Sequence, residues 1–210
     1  LALVLLAKPL LFTLFQHGAF TAHDVEMASM SLSALALGLP AFALVKVVAP
    51  AFYARQNTRT PVRAGIIAML ASMFLNVVFL AALLLFWDKA EMAGSGWFAR
   101  LSAIPGLHIA LALASACASY LKLLLLWRAL KRDGIYQAQP GWARHLARLI
   151  LACLVMSGIL WLGLEHWSDW ASASASSRAI RLSALVAAGG GSFVIALFVA
   201  GFRLRDLRAP

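Results

Sequence analysis

Residues 64–87 read AGIIAMLASMFLNVVFLAALLLFW, 24 positions from Ala64 to Trp87 without one charged side chain. At about 1.5 Å rise per residue, such a stretch makes a helix longer than the ~30 Å hydrocarbon core of a bilayer. A membrane-spanning strand would instead alternate polar and apolar positions over about ten residues. The run Leu123-Leu124-Leu125-Leu126 breaks any such alternation elsewhere in the chain. The stretch is read as a transmembrane helix, and it sets the class of the whole chain.

Working outward, five more apolar runs flank it, giving spans at about 1–15, 27–54, 64–87, 104–127, 144–164 and 182–202. The second is interrupted by Gly38, Pro40, Lys46 and Pro50, and the basic segment Trp142 to Arg148 lengthens the fifth by snorkelling. The chain opens inside an apolar run, Leu1 to Ala7, with no basic segment before it. A signal peptide needs such a segment, so the first span is read as truncated, with sequence missing upstream. The expected fold is an all-α polytopic transmembrane helix bundle of about six spans, with residues 1–210 forming one transmembrane lobe.

Composition agrees. Hydrophobic residues make up 63% of the 210 positions, charged residues 12%, and mean hydropathy is +0.86. A soluble domain is about half apolar and a quarter charged, which excludes a water-soluble globule. A net charge of +10 would suggest nucleic acid in a soluble protein. Here the basic residues cluster at the ends of apolar runs, so topology explains them and no nucleic-acid partner is expected. Cys117 and Cys153 both lie inside apolar runs and imply neither a disulfide nor a metal site.

Loop charge gives an orientation. Basic residues are absent from Gln16 to Glu26, then appear as Arg55, Arg59 and Arg63 in the next connection, and the alternation continues to the end. One set of connections, with the C-terminal tail, holds eleven Lys and Arg; the other set holds four, and acidic residues divide two against six. By the positive-inside rule the C-terminus is cytoplasmic. Six of the seven tryptophans fall at or just beyond span ends, as an aromatic belt does. Ala171 to Ser177 is small and low in complexity, and is read as a flexible external loop.

Nothing in the sequence resembles an enzyme. It offers no nucleophile–histidine–acid set, no phosphate loop and no metal-spaced cluster, and His17 and His23 are read as a solvated pair. No catalytic residue, cofactor or metal is expected. Lys46 is different. It lies eight positions before the end of its span, about 12 Å below the interface. An ionisable group at that depth faces a bundle interior or a watery cavity, so Lys46 is a candidate for meeting a diphosphate; a salt bridge or partial snorkel accounts for it equally. Pro40 and Pro50 bracket it and suggest a bent or broken helix. Arg55 and Arg59 are candidates for contact with anionic headgroups or a pyrophosphate, although topology alone also explains them. Thr60 before Pro61 reads as an N-cap followed by proline at the first helical position. Gly189 to Gly191 allow close helix approach, or a groove for a lipid tail.

Two stretches carry a resemblance. Val45 to Val62 (VKVVAPAFYARQNTRTPV) resembles the signature of the MurJ/MviN family, as does Leu14 to Thr21 (LFQHGAFT) followed by Asp24. Gln139-Pro140-Gly141-Trp142 is similar to proteobacterial members. The resemblance covers the whole chain. It implies the C-terminal lobe of a fourteen-helix transporter of the MOP exporter superfamily in the bacterial inner membrane. It further implies a lipid II flippase, which moves the undecaprenyl-diphosphate-linked peptidoglycan precursor to the periplasmic leaflet by alternating access. Lipid II, membrane lipids and an N-terminal lobe of the same protein are then its partners. The family's cavity arginines have no counterpart here, and its last two helices form an apolar groove for the polyprenyl tail. The alternatives are an exporter of other lipid-linked oligosaccharides or drugs, or a non-transporting membrane scaffold.

Overall fold

The computed structural model describes residues 1–16, 20–86, 107–134, 141–167 and 169–201. Among these, every regular element is a helix: α1 (Ala2–Leu14), α2 (Ala22–Tyr53), α3 (Arg59–Phe86), α4 (Leu107–Arg132), α5 (Trp142–His166) and α6 (Ala175–Val199). Five of them, α2 to α6, are long and apolar enough to cross a membrane, while α1 is shorter. The all-helical expectation holds.

α2, α3 and α6 start ahead of their apolar stretches, because a polar cap opens each of them. α2 begins with a reciprocal capping pair. Asp24 Oδ2 accepts from the backbone N–H of Thr21 at 2.8 Å, and the Asp24 N–H donates back to Thr21 Oγ1 at 3.3 Å. α6 begins at Ala175, with Ser174 Oγ accepting from the Ser177 N–H at 3.4 Å. The segment read as a flexible loop therefore supplies the cap and first turn of a helix.

α2 is not broken at its prolines. It runs unbroken for 32 residues through Gly38, Pro40 and Pro50. Each proline lacks the N–H that would bond four residues back. Near Pro40, Tyr120 of α4 donates its hydroxyl to the Leu37 carbonyl at 2.8 Å, one residue beyond the Ala36 carbonyl that Pro40 leaves without its helical donor.

The chain divides into two compact units, residues 27–137 and residues 1–26 with 138–210. In the first, Phe52 of α2, Ala64 of α3 and Leu126 and Leu130 of α4 form a buried cluster. Gly38 brings α2 against α4, since a Cβ there would stand 3.0 Å from the Ala116 Cα. In the second unit α1 packs on α5 and α6. The pair α5–α6 interlocks reciprocally: Leu185 of α6 sits over Gly163, and Leu160 of α5 sits over Gly189. Of the three glycines singled out in the sequence, Gly189 is a packing position; Gly190 and Gly191 face open space.

Candidate functional site

The link between α2 and α3 is built from its backbone. The Asn57 N–H reaches the Phe52 carbonyl at 3.0 Å and the Gln56 N–H reaches Tyr53 at 2.9 Å, a Schellman closure with Gln56 at φ 57°. Asn57 then caps the next helix, its Oδ1 accepting from the Thr60 N–H at 3.2 Å. The cap is Asn57 rather than Thr60, and α3 starts at Arg59, two residues ahead of Pro61. Pro61 still falls in the first turn, where its missing N–H costs nothing. One helix thus ends and the next begins within five residues, Ala54 to Thr58.

Arg55 and Arg59 are exposed on either side of this turn. Lys46 is exposed on α2, nine residues before Arg55, about 13 Å along the axis. Among the described residues no ion pair engages its ammonium, and Pro50 leaves the Lys46 carbonyl without its helical donor. The structure does not bring Lys46 to the arginines. It does bring together a set that the sequence did not mark. Arg63 of α3 shares a cleft of about 280 Å³ with Arg128 and Arg132 of α4. These residues lie far apart in sequence, and only the antiparallel packing of α3 on α4 makes them neighbours.

Other charges differ from their sequence reading. Lys8, inside the first apolar run, is paired: its Nζ meets Glu26 Oε1 at 2.9 Å, with both side chains about half exposed. Arg178, read as a loop charge, is buried in the first turn of α6. Its Nη1 donates to the Phe12 carbonyl at 3.0 Å and its Nη2 to the Ala171 carbonyl at 2.8 Å. Trp170, assigned to the aromatic belt, is likewise buried. Midway along α3, the side-chain oxygen of Asn76 is buried without a hydrogen-bond partner. No group of His, Cys, Asp or Glu among the described residues is placed to hold a metal ion.

The family model described as lipid II flippase MurJ matches residues 1–180. The chain belongs to the MurJ family. It is 39% identical over 209 residues to the probable lipid II flippase MurJ of Vibrio cholerae, covering 100% of this chain and 35% of that protein. To the lipid II flippase MurJ of Burkholderia cenocepacia it is 31% identical over 214 residues, covering 99% and 36%. The probable lipid II flippase MurJ of Haemophilus influenzae is 31% identical over 207 residues, with the same coverage. The chain thus spans about a third of the length of the curated MurJ relatives it matches, and it corresponds to their C-terminal part. Membership, with five apolar helices long enough to span, makes it a multi-pass protein of the bacterial inner membrane. The stretches that carried the resemblance to MurJ now have a structural meaning: Thr21 and Asp24 open α2, and Gln56 and Asn57 close the turn into α3.

Proposed function

We propose that this chain forms the C-terminal membrane lobe of a lipid II flippase, a transporter rather than an enzyme. The match of residues 1–180 to the MurJ family carries the reading, since relatives alike along the whole chain bear that activity in their names. The physical problem is the charged head. Desolvating a diphosphate in hydrocarbon is prohibitive, so a protein must shield it in a polar cavity while the polyprenyl tail stays in apolar surroundings.

In this reading the lobe works by alternating access with an N-terminal lobe, and the diphosphate meets Lys46 at one point of its path and Arg55 and Arg59 at another. An exposed ammonium at membrane depth needs polar surroundings, which the remainder of a full-length protein supplies by covering that face of α2. The carbonyl freed by Pro50 beside Lys46 supports α2 as an element that bends during the cycle. The tail lies along the apolar pair α5–α6, and the C-terminus is cytoplasmic.

The test is lipid II movement in proteoliposomes containing the full-length protein. The intact protein is expected to move lipid II between leaflets, and Lys46→Ala to slow it without lowering the unfolding midpoint. Folded full-length protein that leaves the leaflet distribution of lipid II unchanged would end the reading.

A further inference from the structure

We infer that the cleft between the start of α3 and the end of α4 binds the phosphodiester of an anionic phospholipid headgroup. Arg63, Arg128 and Arg132 contribute guanidinium groups to its lining, and Thr60 adds a hydroxyl. Their charge is barely offset. Asp133 is the one carboxylate among the described residues of the 27–137 unit, and it already accepts from Arg132 Nε at 3.3 Å. Among the described residues of that unit, Arg63 and Arg128 are therefore left without an acidic partner.

The other side of the cleft is apolar and anchored. Ala64 belongs to the buried cluster around Leu126, and Leu125 and Ala129 pack against it. A guanidinium offers paired donors that match two phosphate oxygens. Basic pockets between spanning helices are where acidic lipid headgroups dock. The apolar wall favours a lipid over a free phosphate, which gains nothing from Ala64 or Leu125. At about 280 Å³ the cleft lies below the usual range for drug-sized ligands, ~300–1,000 Å³, and suits a small headgroup rather than a saccharide. The inference does not depend on lipid II transport.

The experiment uses full-length protein in mild detergent, loaded with phosphatidylglycerol or phosphatidylcholine and read by native mass spectrometry. Phosphatidylglycerol is expected to be retained in preference to phosphatidylcholine. The double substitution Arg63→Gln with Arg128→Gln should cut that retention by about tenfold or more, the effect of losing charge-assisted contacts. Lys131→Gln is the control. It removes a charge from the same end of α4, but its ammonium lies 5.7 Å over the Trp127 ring and does not line the cleft. It should leave retention unchanged, and millimolar inorganic phosphate should not displace the lipid. Unchanged retention in the double variant, equal loss in Lys131→Gln, or no preference over phosphatidylcholine overturns the inference. Displacement by inorganic phosphate overturns it too, in favour of a free anion.

Discussion

Arg178 closes the end of a helix that is not its own. Its Nη1 donates at 3.0 Å to the carbonyl of Phe12, one of the last four of α1, which have no partner within that helix. Its second donor holds Ala171 at 2.8 Å. A cation in the first turn of α6 opposes that helix's own dipole, whereas at the C-terminus of α1 the same charge is favourable.

Replacing Arg178 by Ala is therefore expected to cost about 3 kcal/mol, since two carbonyls lose charge-assisted hydrogen bonds. Arg178→Lys should recover only part of the loss, because one ammonium lacks the fork that spans both carbonyls. Unfolding in detergent measures both, and a midpoint unchanged in Arg178→Ala would refute the clamp.

The glycines separate by neighbour. Gly38→Ala places a methyl group 3.0 Å from the Ala116 backbone, which cannot give way, and should cost about 1–3 kcal/mol. Gly190→Ala meets nothing within 4 Å and should be neutral or stabilising by up to about 1 kcal/mol, the helix-propensity gain. Thermal midpoints of the two variants should move in opposite directions or differ clearly in size.

At the α2–α3 turn, Gln56 holds φ 57°, a region that costs a residue with a Cβ about 1 kcal/mol. Gln56→Gly should raise stability by roughly that amount. Asn57→Ala removes the cap on the Thr60 N–H and should lower it by about 1 kcal/mol. The opposite ordering in chemical denaturation would contradict the geometry.

Orientation is tested by single cysteines in the full-length protein, after Cys117 and Cys153 are replaced by Ala. Ser172→Cys and Thr58→Cys both lie at exposed positions that make no capping contact. An impermeant thiol reagent added to intact cells should label the first and reach the second only after permeabilisation. The reverse pattern inverts the topology.

How much of this was legible follows from what each feature depends on. Apolar runs mark helices because hydrocarbon tolerates no other lone backbone segment, so the helices could be read directly. The starts of α2 and α6 could not, because Thr21, Asp24 and Ser174 act through local hydrogen bonds that hydropathy does not register. Arg178 looked like any loop arginine, since its burial depends on carbonyls 166 and 7 residues away. The Arg63–Arg128 cleft was hidden for the same reason. Lys46 was conspicuous in the sequence because a lone cation in an apolar run needs no fold to be noticed. What meets it cannot be read that way, and within this chain its side chain is left exposed.

The exchange of knobs between α5 and α6 has a mechanical consequence. Leu185 fills the notch of Gly163 while Leu160 fills the notch of Gly189. If either helix slipped lengthwise by a turn, both leucines would leave their notches and press on neighbours that carry side chains. The two therefore share one register, and a displacement that reaches α5 must carry α6 along with it, as a single plank.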